Sequence, residues 1–278
     1  MGFVGILVVL GMVFGGYILH GGQMHVMIQP TEIMVIFGAA IGATILSSPP
    51  AVIKAVISMV VRALAGGGAK KSDFLELLQM MFRLFQVFRK EGPQAVEKHI
   101  EDPMNSEIFK AYPSFIKNHH AVDFLCDTMK ITLSADLSQY DVDDLLDQDI
   151  KVIHEEEHMA QSIIANVADA MPGLGIVAAV QGVILTMGKL TEGTEAIGHS
   201  VAGALVGTFM GVLAAYGIFA PLASRIQKNI DADGRYLKVI KAAMVALQRG
   251  APPLVCVEYA RRSIYPVDRP SFEEMDSA

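Results

Sequence analysis

Residues 170–188 read AMPGLGIVAAVQGVILTMG, a stretch without a charged side chain. Similar stretches cover residues 3–19, 33–46 and 197–222; none of the four contains Lys or Arg, and Asp169 directly precedes residues 170–188. A helix needs about 17 to 25 mostly apolar residues to cross about 30 Å of hydrocarbon. The sequence therefore predicts an all-α integral membrane protein with four transmembrane helices. The second helix reaches that length only if it continues through residues 47–50.

The composition agrees with this class, because 52% of the residues are hydrophobic, only 18% are charged and the mean hydropathy is +0.42. These values are too apolar for an ordinary soluble domain. The formal net charge of −7 argues against nucleic acid as a partner. No basic segment precedes residues 3–19, which favours a retained helix over a cleaved signal peptide.

The distribution of Lys and Arg predicts the orientation of the helices. The connection at residues 21–32 has neither, and the connection at residues 189–198 has one Lys beside Glu192 and Glu195. Cytoplasmic loops carry the excess of cations, so we expect both short connections to lie outside. The N-terminus, the long insert and the tail are then cytoplasmic. Cys126 and Cys256 both fall in these parts, where a structural disulfide is not expected.

The sequence predicts four segments: residues 1–62 with two spans, 63–168 as a cytoplasmic helical domain, 169–224 with two more spans, and 225–278 as a cytoplasmic tail. In the insert, apolar residues at three- and four-residue steps predict a helix over residues 72–91. Ser72 and Asp73 are expected to cap it, and Gly92-Pro93 to end it. Further helices are expected at residues 93–100, 115–133 and 142–164. The composition of the tail from Glu273 onward predicts no ordered structure.

One segment of the insert, His154-Glu155-Glu156-Glu157-His158, matches the H-E-x-x-H pattern. On a helix both histidines lie on one face, where they would bind zinc with Glu155 as general base. A catalytic site also needs a third ligand and a shielded cleft, whereas this segment is dense with charge. A solvated helix face is the better interpretation, so the sequence predicts neither an enzyme nor a bound metal or cofactor.

Acidic side chains are missing where an ion carrier needs them. Membrane proton carriers place Asp or Glu towards the interior of a helix bundle, and the first, second and fourth apolar stretches contain neither. If the chain conducts ions, the carboxylate is expected to come mainly from another chain. Small residues such as Gly207 and Gly211 allow close helix packing, within one subunit or between subunits. Pro172 and Pro221 each free a backbone carbonyl and permit a bend.

Charged residues flank Gly92-Pro93 in the insert, among them Arg89 on one side and Glu97 on the other. Charges on the outer face of an amphipathic helix are usually solvated. The alternative is a docking edge, since exposed charges steer and orient a partner more than they hold it.

The order of two spans, an insert, two spans and a basic tail resembles the MotA family of flagellar stator subunits, within the MotA/TolQ/ExbB superfamily. The resemblance covers essentially the whole chain and rests on several short strings. They are Ile100-Glu101-Asp102-Pro103, Ser106-Glu107-Ile108-Phe109, Pro172 with residues 175–180 and Gly182, Val206-Gly207-Thr208-Phe209, Tyr216-Gly217 before Pro221-Leu222, Ala251-Pro252-Pro253 and Arg269-Pro270-Ser271-Phe272.

The resemblance implies a pentamer of this chain around a dimer of MotB, whose own span supplies the proton-accepting Asp. Ion flow in the bacterial inner membrane would then generate torque on the rotor protein FliG. By the same resemblance, Arg89 and Glu97 correspond to rotor-contacting positions, and Asp149 to a third acidic position where relatives often have Glu. Pro172 and Pro221 correspond to prolines at the point where movement is transmitted.

The resemblance also bears on the coupling ion. Sodium-driven relatives carry Thr at the position of Ala179 and a second Thr that corresponds to Thr208. Sodium prefers oxygen ligands, and Ala179 offers only a methyl group. We therefore expect H+ rather than Na+ to flow, with Thr208 orienting water or the partner's carboxylate.

Two alternatives stay open at this point. One is an ion-driven inner-membrane motor of the ExbB and TolQ type, which usually has three spans and a different insert. The other, more distant, is a membrane zinc protease that uses His154 and His158.

Overall fold

The computed structural model describes residues 2–188 and 193–276, and every regular element among them is a helix. This confirms the predicted all-α class. The described chain divides into two compact units. The first comprises Met1–Gly67 and Glu157–Lys228, and the second comprises Gly68–Glu156 and Asn229–Ala278.

The helices are numbered in chain order, and a π-helix at Ala214–Phe219 separates α11 from α12. They are α1 (Gly2–Leu19), α2 (Met24–Met27), α3 (Pro30–Ser47), α4 (Pro50–Ala65), α5 (Lys71–Glu91), α6 (Pro93–Glu101), α7 (Glu107–Lys110), α8 (Pro113–Ile116), α9 (His119–Ser134), α10 (Gln139–Gly188), α11 (Thr194–Leu213), α12 (Ala220–Gln248), α13 (Pro253–Arg262) and α14 (Phe272–Asp276). Both α10 and α12 contribute residues to both units.

Four helical segments are long and apolar enough to cross a membrane: Gly2–Leu19, Met24–Ser47, Gln139–Gly188 and Ser200–Gln248. The number agrees with the four predicted spans. The second span does not continue past Ser47, because Ser48 is extended with φ −136° and ψ 135° and a new helix starts at Pro50. A residue that precedes proline disfavours the helical conformation, which explains the break. The span gains its length at the other end, where α3 begins at Pro30.

The predicted outer connection at residues 189–198 is only partly described. Residues 189–192 lie outside the described residues, and α11 begins at Thr194 after Gly193, whose φ is +103°.

The second unit packs around α5, whose apolar face is buried. Leu84 and Phe85 have no exposed surface and share one core with residues of α6, α9, α12 and α13. The helix predicted at residues 72–91 is confirmed, one residue longer at its start. Ser72 is not its N-cap: that position is Lys70, whose backbone N–H donates to Asp73 Oδ2 at 2.8 Å.

Two other expectations about the second unit were wrong. The helix expected over residues 115–133 is interrupted after Ile116, because Asn118 caps α9 by accepting the Ala121 N–H at 3.3 Å. Residues 273–276 of the tail expected to lack structure belong to α14, where Glu274 forms an ion pair of 2.8 Å with Lys71, and residues 277–278 lie outside the described residues. Tail composition alone cannot show a partner that lies about 200 residues earlier in the chain.

Cys126 and Cys256 are separate buried thiols in the core of the second unit. Burial raises the pKa of the Cys126 thiol to about 12 and that of the Cys256 thiol to about 11. Both side chains therefore behave as small apolar core residues rather than as reactive nucleophiles.

Candidate functional site

Glycines bring α10 and α11 into direct backbone contact in the first unit. A Cβ added at Gly211 would lie 2.6 Å from the Met171 carbonyl oxygen and 2.8 Å from Gly175 Cα. A Cβ added at Gly182 would lie 2.8 Å from Ala204 Cβ. Real Cβ atoms do not approach other atoms this closely, so these positions accept only glycine without movement. The small residues thus pack two spans within one chain, which the sequence left open.

The two positions predicted for the ion path, Ala179 and Thr208, lie beside this contact. A Cβ at Gly207 would stand 3.2 Å from the Ala179 backbone nitrogen, and Thr208 follows Gly207 directly. Both Ala179 and Thr208 are half-buried. The structure therefore places the Ala179 backbone next to the segment that carries the Thr208 hydroxyl.

Glu32, in the first turn of α3, meets the same contact and was missed by the sequence reasoning. Its Oε2 lies 3.0 Å from the point that a Cβ on Gly207 would occupy. The helix that contains the second apolar stretch starts at Pro30 rather than at Ile33, and so includes Glu32. Proline is common at the first helical position, and this signal could have located the helix start in the sequence.

Each of the two predicted hinge prolines lies within a helix at an irregular point. Pro172 is inside α10, one residue after the Met171 carbonyl that faces Gly211. Proline has no amide hydrogen, so one carbonyl of the preceding turn loses its helical donor. Pro221 is exposed in the first turn of α12, directly after the π-helix. Such single π-helical turns often mark functional sites in helices.

A cavity of about 370 Å³ adjoins Pro221 and is lined by Gly2, Tyr216 and Arg225, among other residues of the first unit. Arg225 Nε donates to the Ala63 carbonyl oxygen at 2.6 Å. This hydrogen bond joins the start of α12 to the last turn of α4, and it satisfies one of the carbonyls that a helix end leaves without a partner.

Arg89 and Glu97 are exposed on two consecutive helices of the second unit. Arg89 lies in the last turn of α5, where its Nη2 donates a long hydrogen bond of 3.5 Å to the Gly250 carbonyl. Glu97 lies on α6, after a turn at Gly92 with φ +88°. A positive φ favours glycine. Gly92 therefore ends α5 and allows the chain to turn into α6. The two charges are thus available to a partner on a rigid pair of helices.

Asp149 is exposed on α10, outside the apolar stretches and close to Asp127 of α9. Partial desolvation, and then the negative charge of Asp127, raise the pKa of the Asp149 carboxyl. The structure therefore places Asp149 near a second acidic residue, Asp127, which the sequence analysis did not identify.

The H-E-x-x-H segment lies on α10. His158 Nε2 is 3.3 Å from Gln227 Nε2, His154 packs against Gly234, and Glu155 forms a long ion pair of 3.8 Å with Lys151. In the part of the chain that the structure describes, no group of three or more His, Cys, Asp or Glu side chains is placed to hold a metal ion.

Comparison with known proteins relates these features to one family. A family model described as Motility protein A N-terminal matches residues 3–92, and one described as the MotA/TolQ/ExbB proton channel family matches residues 116–238. Motility protein A of Salmonella typhimurium is 33% identical over 98% of this chain and 92% of its own length. The chain belongs to the motility protein A family.

Further relatives of the family agree with this assignment. Motility protein A of Escherichia coli K12 is also 33% identical over the same shares, and the chemotaxis protein LafT of Vibrio parahaemolyticus is 32% identical over 99% of this chain and 96% of its own length. The match to the N-terminal motility protein A model favours this family over the ExbB and TolQ branch.

Solved structures show the same fold. The chain matches a chain in the structure of C. jejuni MotAB with a TM-score of 0.79 and 20% identity over 98% of both chains. It matches the flagellar MotAB stator complex from Bacillus subtilis with a TM-score of 0.74 and 21% identity over 93% of both chains. Family membership together with the stator fold makes the chain a flagellar stator subunit of the proton channel family.

Proposed function

We propose that this chain forms a pentamer around a dimer of a MotB-type partner, and that H+ flow through the complex generates torque on the rotor protein FliG. The observation that carries the proposal is the similarity to motility protein A along 98% of the chain. The structural neighbours are MotAB complexes, which supports a MotB-type partner.

Rotor contact is assigned to Arg89 and Glu97, with Asp149 as a third charged position. All three are exposed on helices of the second unit, so a partner can reach them without unfolding the core. Exposed charges contribute more to steering and orientation than to affinity, which suits a contact that must form and break repeatedly.

The first experiment restores swimming to a strain that lacks its own stator genes, using this chain with its cognate partner. We expect wild-type rescue and a strong loss of swimming for Arg89→Glu. The matched control is Arg83→Glu, which reverses an exposed arginine on the same helix α5. If both reversals swim equally well, Arg89 has no special role; if wild type fails to swim despite membrane insertion and intact flagella, the stator function itself is wrong.

We assign H+ as the coupling ion because Ala179 presents no side-chain oxygen beside the Gly207 and Thr208 segment. Sodium needs several oxygen ligands, as other hard cations do. We expect the rescued cells to swim in sodium-free medium and to stop when a protonophore is added. A strict requirement for sodium would contradict this assignment.

Movement is assigned to Pro172, which adjoins the contact between α10 and α11, and to Pro221, which follows the π-helix at the start of α12. A change of charge at the partner's carboxylate would favour one bend of α10 at Pro172 and of α12 at Pro221 over another. Replacing Pro172 by Ala restores the missing amide, so we expect normal assembly with the partner and weaker torque.

We place the chain in the bacterial inner membrane, in contact with lipid, with both termini in the cytoplasm. The four apolar helices and the bias of Lys and Arg towards the insert and tail support this placement. We further propose that the chain has no enzymatic activity. Replacing His154 and His158 together by Ala should then leave swimming intact, and loss of bound zinc together with a proteolytic activity would revive the protease interpretation.

A further inference from the structure

An acidic side chain of this subunit lies at the contact between its own spans. Glu32 belongs to the segment Met24–Ser47, which is apolar and long enough to cross a membrane. Its Oε2 has less than 1 Å² of accessible surface and no hydrogen-bond partner among the described residues. Intramembrane carboxylates are rare, and they commonly mark ion pathways.

The surroundings of this oxygen are shaped to admit it. Oε2 occupies the space beside Gly207, where an added Cβ would also lie 3.2 Å from both Ala178 Cβ and the Ala179 nitrogen. Any larger residue at position 207 would displace the carboxyl group. Because Gly207 has no side chain, the Glu32 carboxyl group can lie against both α10 and α11.

The chemistry of the site favours a carboxyl group that carries a proton. A buried ionised carboxylate with an unpaired oxygen loses its hydration without compensation, which is costly in an apolar environment. Protonation removes this cost. The side chain as a whole is only partly buried, so the remaining exposed part leaves a way for protons to enter and leave.

We propose that Glu32 is a proton-binding residue on the ion path of this subunit, next to the segment of Ala179 and Thr208. It passes protons to or from the partner's carboxylate, and the chain therefore contributes an acid of its own. The inference rests on the proposed function, since it assumes that H+ flows past α10 and α11.

The test compares three variants of the full chain, each expressed with the cognate partner in the stator-deleted strain. Glu32→Gln keeps the shape but cannot release a proton, Glu32→Asp keeps the carboxyl group, and Thr31→Ala alters the exposed neighbouring residue. We expect the rotation speed of tethered cells to fall by about tenfold or more for Glu32→Gln. Glu32→Asp should retain most of the speed, and Thr31→Ala should match wild type.

Rotation of the Glu32→Gln variant at the wild-type speed would overturn the proposal while leaving the stator function intact. Failure of wild type to rotate would instead remove the proposed function.

A second measurement uses the wild-type complex and does not depend on variant folding. A lipid-soluble carbodiimide reacts with protonated carboxyl groups in apolar surroundings, and mass spectrometry locates the adduct. Stronger labelling of Glu32 than of the exposed Glu155 supports the proposal. Labelling of Glu32 that is equal to or weaker than that of Glu155 overturns it.

Discussion

Replacing Gly211 by Ala tests whether backbone contact between α10 and α11 holds the first unit together. The new Cβ would stand 2.6 Å from the Met171 carbonyl oxygen, 2.8 Å from Gly175 Cα and 3.1 Å from Gly175 N. All three are backbone atoms, so no side chain can rotate away. The two helices would have to separate by roughly 0.8 Å to bring the shortest contact to an ordinary 3.4 Å.

We expect Gly211→Ala to lower the free energy of unfolding by about 1–3 kcal/mol, the usual cost of overpacking a close contact. Without the clash the same change would stabilise a helix by about 1 kcal/mol, because glycine is the weaker helix former. Since Met171 adjoins Pro172, the separation also falls at the predicted hinge, and we expect reduced torque as well.

The assay is the fraction of purified complex that survives heating in detergent, measured by size-exclusion chromatography. The matched control is Gly198→Ala on the same helix, where nothing lies within 4 Å of the added Cβ. We expect the control to match or exceed wild type. Equal heat resistance of the Gly211 and Gly198 variants would refute the argument from backbone contact.

Two pH effects are expected in the second unit, both measured as the temperature at which the helical circular dichroism signal is lost. Burial, and then the charge of Lys98, lower the pKa of His99. The contribution of neutral His99 to the free energy of unfolding is therefore complete above about pH 6.5, and below that pH it falls by at most about 1.4 kcal/mol per pH unit. We expect His99→Asn to flatten this slope. Hydrogen bonds, first from Arg261, lower the pKa of Glu258 to about 2, so its contribution is complete above pH 4.5 and is lost as pH falls towards 2. We expect Glu258→Gln to lower the free energy of unfolding by about 1–2 kcal/mol at pH 7 and to remove the loss of stability in acid. This figure allows for screening by solvent, because the Glu258 side chain is 25% exposed.

Local signals in the sequence were sufficient for most of the helices. The four apolar lengths, the three- and four-residue steps along α5 and the Gly92-Pro93 break all act within a few residues, and the observed helices follow them. Errors arose where a single side chain decided the outcome. Asn118 interrupts the helix expected at residues 115–133, and at the start of α5 only Asp73, not Ser72, makes the expected capping hydrogen bond.

The predicted site residues were chosen by position in a pattern, and their surroundings came only from the tertiary structure. Nothing in the order of residues shows that Asp149 has Asp127 as a neighbour, or that Glu32 loses the hydration of one oxygen beside Gly207. Each of these facts depends on two residues that are distant in the chain.

The sequence by itself determined that this is a helical membrane protein with four spans, because the length and polarity of a helix are set by residues next to one another. The tertiary structure decided which small residues join α10 to α11, where Glu32 lies, and that Glu274 of α14 forms an ion pair with Lys71. The physical reason is that burial, close backbone approach and ion pairing are properties of surfaces brought together by folding.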